Sequence, residues 1–103
     1  MYVRLVSFSG GSADMRDSWK QTIQDTVLPT LREYEGFAGY IGLMGTADQQ
    51  VKGLLFFYTE DNAEAAEQAV KERRREVSGG VGLTVETADL YEVLAMEMEP
   101  ARV

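Results

Sequence analysis

Val51-Lys52-Gly53-Leu54-Leu55-Phe56-Phe57-Tyr58-Thr59 is the stretch that decides the fold. A strand sends successive side chains to opposite faces, so this segment places Leu54, Phe56 and Tyr58 on one side and Leu55 and Phe57 on the other. Both faces are apolar, unlike those of a half-solvated antiparallel strand. The apolar run at 54–58 falls far short of the ~20 residues that a membrane-spanning helix requires.

Working outward, residues 37–44 (Phe-Ala-Gly-Tyr-Ile-Gly-Leu-Met) form a second strand, and the polar connector 45–50 between the two makes them a hairpin. Downstream, Asp61 opens a capping box with Glu64, and an Ala-rich helix runs to about Ser78, where Gly79-Gly80 ends it. Asp61, Glu64 and Glu67 early and Arg73, Arg74 and Arg75 late suit the helix macrodipole. Towards the N-terminus, residues 2–9 are β-branched and aromatic, and Gly10-Gly11-Ser12 stops them. From Asp14 to Tyr34 the apolar spacing becomes helical, with Met15, Trp19, Ile23, Val27 and Leu31 at successive i+4 steps. Ser12 or Asp14 is placed to cap this helix, and Gly36 stands where a left-handed C-cap is wanted. Pro29 clashes with the carbonyl of residue 25, which predicts a kink or a break. Residues 83–87 read as a short strand or an extended connector, and residues 90–98 as the last main strand.

The order is β-α-β-β-α-β, an α+β ferredoxin-like domain at 1–98 with a tail at 99–103. Two helices cover one face of a four-stranded antiparallel sheet. The other face is apolar too: the first strand sets Tyr2, Val6 and Phe8 against Val3 and Leu5, and the last sets Tyr91, Val93 and Ala95 against Leu90, Leu94 and Met96. Soluble monomers do not leave a patch of that size in water, so the sequence predicts a homodimer joined sheet to sheet.

Composition narrows the chemistry. The chain has 103 residues, 17 acidic against 10 basic side chains, and neither histidine nor cysteine. No disulfide, thiolate metal site, Fe–S cluster, Ser-His-Asp triad or His-ligated haem can be built from it, so no metal and no cofactor is expected. A net charge of −7 repels phosphate, which argues against nucleic acid and anionic membranes as partners. The N-terminal stretch, with Arg4 inside it, does not read as a signal peptide, and a cytoplasmic location is expected. Gly10-Gly11-Ser12 matches neither G-x-G-x-x-G nor the Walker pattern, and Asp14 and Asp17 behind it would repel an anion. The run from Lys71 to Glu76 reads as a solvated helix face rather than a nucleic-acid patch.

Glu35-Gly36-Phe37-Ala38-Gly39-Tyr40, preceded by Leu28-Pro29-Thr30-Leu31-Arg32 and matched by the closing Leu90-Tyr91-Glu92-Val93-Leu94, resembles the dimeric α/β-barrel proteins, and most closely their antibiotic-biosynthesis monooxygenase-like branch. The resemblance implies a dimeric α/β barrel and, for activity, cofactor-independent oxygenation of a flat phenolic or quinol-type metabolite. The haem-degrading members of that family depend on a histidine that is absent here. Monooxygenase members often carry a tryptophan in the second helix, whereas Trp19 lies in the first.

Four residues are candidates for chemistry. Arg4 is a guanidinium inside an apolar strand and must find a carboxylate, a dimer partner or a ligand anion; the plain alternative is a pair with Glu92 or Glu86, or snorkelling to water. Trp19 either stacks on a flat ligand or is core. Tyr40 and Tyr91 stand out among five tyrosines as phenols able to orient or protonate a substrate, or as half-buried sheet residues. Met44, Phe56, Phe57 and Met96 are suited to line an apolar ligand cavity, or to ordinary core and interface packing. The two functional readings are a homodimeric monooxygenase holding a small aromatic metabolite between helices and sheet, and a non-catalytic ligand-binding or structural dimer.

Overall fold

The computed structural model describes residues 1–100. Four strands, β1 (Tyr2–Ser9), β2 (Phe37–Met44), β3 (Val51–Phe57) and β4 (Thr84–Glu92), form one sheet in the order β2-β3-β1-β4. Every neighbouring pair is antiparallel. The first helical region, residues 13–31 and here α1, consists of a 3-10 turn at Ala13–Met15, an α-helical stretch at Arg16–Thr22, a π turn at Ile23–Val27 and a last α turn at Leu28–Leu31. The second helix, α2, spans Glu60–Gly79. This is the four-stranded ferredoxin-like α+β architecture expected from the element order.

Pro29 explains the composite α1. A regular α-helix would press its ring against the carbonyl of Asp25. The turn before it widens instead, and the Leu28 amide donates to the Ile23 carbonyl five residues back. The predicted kink is thus a π turn. The helix ends at Leu31, short of Tyr34, with Arg32 as a right-handed C-cap; Gly36 is left-handed at φ 77° but stands in the turn before β2 and does not cap the helix. Ser12 sits at the N-terminal boundary without a side-chain capping bond.

Two further boundaries differ from the sequence reading. Helix α2 is capped by Thr59, whose Oγ1 accepts from the Asn62 amide at 3.0 Å, and not by Asp61. The last strand is Thr84–Glu92, so 84–89 is strand proper and 93–98 lies beyond it. The cause is pairing. β1 starts at Tyr2, opposite Glu92, the Val93 amide donates to the Met1 carbonyl at 2.9 Å, and the pairing of β4 with β1 ends there. Of the tail at 99–103, residues 101–103 lie outside the described residues.

The helix side of the sheet carries the core: Val6 and Phe8 from β1, Leu55 and Phe57 from β3, Trp19 and Leu31 from α1, and Ala63 and Ala66 from α2. The alanines let α2 lie close to the strands. The opposite face presents Val3, Leu5, Leu54 and Phe56 in the middle, with Ile41, Leu43, Tyr58 and Tyr91 exposed around them. Both faces of the sheet are apolar, and both helices serve one of them.

Arg4 is the exception on the core side, a guanidinium only 7% exposed. Its Nη1 donates to the Ala88 carbonyl at 3.0 Å, its Nη2 to Glu64 Oε1 at 2.9 Å, and its Nε lies 3.7 Å from Glu67 Oε1. Glu67 also takes both terminal nitrogens of Arg74, at 2.7 and 3.0 Å. The partners are therefore carboxylates of α2, not Glu92 or Glu86 of the neighbouring strand as the sequence suggested. Removing the shared carboxylate leaves two buried guanidiniums facing each other. Glu67→Ala is expected to cost ~3–5 kcal/mol of unfolding free energy in urea titrations. Replacing the cluster as a whole (Arg4→Met, Glu67→Leu, Arg74→Met) should recover most of that loss, because no buried charge is then left unpaired and Glu64, half exposed, is solvated.

Candidate functional site

A cavity of about 50 Å3 lies between the two helices and the sheet. Its floor is Val6 and Phe8 of β1, Tyr40 of β2, and Gly53 and Leu55 of β3. One wall is α1, through Trp19, Leu31 and the π turn with Thr26 and Val27; the other is α2, through Val70, Arg73, Arg74 and Val77. The residues fall together for local reasons. Gly53 leaves room for the Tyr40 ring, since a Cβ there would meet the phenol oxygen at 3.0 Å. The π turn places Thr26 and Val27 on the cavity wall, a common location for such turns at functional sites. Trp19 is fixed by an edge-to-face contact with Phe8, with ring centroids 5.6 Å apart.

The sequence candidates separate into two groups. Trp19 and Tyr40 line the cavity. Arg4 does not; its guanidinium is spent on Glu64, Glu67 and Ala88. Tyr91 and Phe56 register with Val3 and so belong to the open face of the sheet. Phe57 is helix-side core, 1% exposed and packed edge to face on Phe37. Met44 packs at the margin of that core, and Met96, 53% exposed, lies past the end of β4. Neither methionine touches the cavity.

What the sequence reading missed is Arg74. The buried side of α2 is marked by Ala63, Ala66, Val70 and Ser78, and Glu67 and Arg74 fall on the same i, i+3, i+4, i+7 stripe. Most of the 71–76 run is solvated as expected, but the Arg74 side chain is turned inward and only 10% exposed. Its bidentate grip on Glu67 holds the guanidinium at the cavity wall.

The Tyr40 phenol is the chemically distinctive group. Burial pushes its pKa up to about 12, against the opposing pull of the nearby Arg74 charge. At neutral pH it is a hydrogen-bond donor and not a base. It makes no hydrogen bond to another described residue, so the donor is free for a ligand. The site thus combines a mostly apolar slot, one flat indole, one free phenol and one anchored guanidinium, an arrangement that can bind a planar molecule and stabilise an oxyanion on it. Among the described residues, no group of three or more carboxylates converges as metal ligands. No helix is long and apolar enough to cross a membrane.

No family model matches the chain, and no curated protein does. Solved structures share its fold. The monooxygenase from ActVA-Orf6 of Streptomyces coelicolor, solved with nanaomycin D, is 17% identical with a TM-score of 0.72 over 96% of this chain and 92% of its own. A Nitrosomonas europaea protein provisionally described as an antibiotic biosynthesis monooxygenase is 18% identical, with a TM-score of 0.65 over 92% of this chain and 100% of its own. A Deinococcus radiodurans protein with the same provisional description is 12% identical, with a TM-score of 0.69 over 97% of this chain and 100% of its own. At such identities the likeness establishes the fold, that of the antibiotic-biosynthesis-monooxygenase structures.

The environment of Tyr40 has a measurable consequence in alkali. A phenol whose folded pKa exceeds the unfolded value of 10.0 contributes stability below pH 10, and that contribution is lost as pH rises towards about 12. Urea midpoints should therefore fall more steeply from pH 10 to 12 in the wild type than in Tyr40→Phe. Parallel slopes would show that Tyr40 ionises like an exposed phenol.

Proposed function

We propose that the protein is a cytoplasmic homodimer that binds a flat, phenolic or quinol-type metabolite in the cavity between helices and sheet and oxygenates it with dioxygen. The observation that carries this reading is the free, protonated Tyr40 hydroxyl beside the anchored Arg74 in an otherwise apolar slot walled by Trp19. A phenol that loses its proton there gains an electron-rich ring able to react with dioxygen directly. Tyr40 and Arg74 favour that loss by stabilising the phenolate, so the chain needs no side-chain base of its own. For an anthrone-type substrate one oxygen atom becomes the new carbonyl at the methylene carbon, and the other leaves as water with the two methylene hydrogens. Arg4, one of whose candidate partners in the sequence was a ligand anion, is held by Glu64 and Glu67 away from the cavity, and Arg74 is the cation placed to meet the oxyanion.

A tricyclic ligand needs more than the present volume, since pockets for such molecules run to ~300 Å3 and above. Widening the cavity then requires a shift of α1 or α2 away from the sheet. The cavity lies on the side of the sheet away from the exposed apolar face. A second copy on that face covers Ile41, Leu43, Tyr58 and Tyr91 without closing the cavity. Leu94 and Met98, 89% and 81% exposed, extend the surface to be covered.

Oxygen uptake against a panel of anthrones and quinols under air tests the catalytic claim. Wild type should consume oxygen, and Tyr40→Phe should lower kcat/KM by ~10- to 100-fold, the usual worth of a positioned proton donor. Absence of uptake across the panel favours the alternative, a non-catalytic ligand-binding dimer. Light scattering at micromolar concentration should give twice the 11.5 kDa chain mass; a clean monomer would remove the sheet-to-sheet dimer.

A further inference from the structure

The polar side chains around the cavity are Trp19, Thr26, Thr30, Tyr40, Arg73 and Arg74, with no carboxylate and no side-chain amide among them. That is unusual for a chain with 17 acidic and 10 basic residues. The charges nearby do not cancel. Glu67 is shared by Arg4 and Arg74, Glu64 pairs with Arg4, and Glu72 is taken by Arg75 at 3.5 Å. Arg73 lines the cavity, is exposed, and forms no ion pair with a described residue. The inner guanidinium, Arg74, shares the one Glu67 carboxylate with Arg4 and is held in place by it, whereas the outer one, Arg73, is left for a ligand.

We infer that the cavity is built for an aromatic hydroxy acid: a flat ligand whose phenolic end reaches Tyr40 and Arg74 while a carboxylate on its outer end pairs with Arg73 at the mouth. This rests on the reading that the cavity holds a flat phenol and adds the substrate class to it. The geometry suits the chemistry. A planar guanidinium presents parallel donors to a carboxylate, and the lining between Arg73 and Tyr40 is mostly apolar, the chemistry that a fused-ring body calls for once the cavity widens to admit it. Net repulsion from a chain of charge −7 disfavours anions in general, so any preference for an acid must come from a local cation.

The experiment compares 6-hydroxy-2-naphthoate, whose hydroxyl and carboxylate lie at opposite ends of the ring system, with 2-naphthol at neutral pH, by calorimetry for affinity and by the indole N–H resonance of Trp19 for location. Trp19 is the only tryptophan, so its single signal reports occupancy of the cavity. The acid should bind ~10-fold more tightly than the naphthol, both should shift the Trp19 signal, and Arg73→Gln should bring the two affinities within ~2-fold of each other. Arg73→Glu should reverse the order. Because Arg73 is exposed, circular dichroism of both variants should match wild type. Equal affinities in wild type, or an acid preference that survives Arg73→Gln, would overturn the inference and leave the flat-ligand reading standing. If neither compound moves the Trp19 signal, both fail. An acid preference without oxygen uptake on any phenol upholds the inference and removes only the oxygenase activity.

Discussion

A guanidinium on the core side of β1 is the constraint around which the molecule is arranged. Arg4 alternates in register with Tyr2, Val6 and Phe8, so it points at the helices whether or not a partner waits there. A buried charge left alone costs several kcal/mol, and the strand cannot turn it outward without also turning out Val6 and Phe8. The carboxylates must come from the element packed above, which fixes α2 both in position and in rotation. Once Glu64 and Glu67 are aimed at Arg4, residues seven positions on face the same way, and Arg74 arrives at the cavity wall. A structural ion pair and a candidate functional cation are thus parts of one cluster. Arg4 Nε is buried without a hydrogen bond, so the cluster is not fully satisfied; the 3.7 Å approach of Glu67 meets its charge but not its donor.

The second constraint is the mismatch between two apolar sheet faces and a pair of helices serving one. Among the described residues no helix packs over Leu54, Phe56 and Val3. The proposed dimer resolves the mismatch and divides the labour of the two faces: one for association, one for a ligand. The strand register keeps them apart, since Phe56 and Leu55 are neighbours in sequence yet serve opposite sides.

The element order, the two-faced sheet, the Pro29 irregularity and the left-handed Gly36 were legible because each follows from a local rule of spacing or sterics. Trp19 and Tyr40 were legible as cavity candidates for the same reason, one from helical phase and one from its strand. The end of β4 was not, because residues 90–98 alternate well enough to be a strand, and what stops them is the starting residue of a different strand. The partner of Arg4 was not legible either. Sequence proximity in the sheet favoured Glu92 and Glu86, whereas the choice depends on how α2 rotates over β1. Arg74 was the recoverable miss. Its place on the stripe of Ala63, Ala66, Val70 and Ser78 marks it as inward-facing, but a run of six charged residues in a row masks the phase.

The absence of histidine acquires a definite meaning beside this site. A base of ordinary pKa is what a proton-abstracting enzyme usually places next to its substrate, and here the one titratable group on the cavity floor, Tyr40, is displaced in the opposite direction, to about 12. Such a group cannot take a proton at neutral pH, but it can hold one out to an oxyanion. Arg74, locked by Glu67, likewise has no proton to give up and a fixed charge to offer. A site with two stabilisers of negative charge and no acceptor suits a substrate acidic enough to ionise by itself once its anion is stabilised. Phenols and quinols have that property and most alcohols and amines do not. On the proposed function the chemistry of the ligand and the composition of the chain are therefore linked: a site that supplies no base suits a substrate that does not need one.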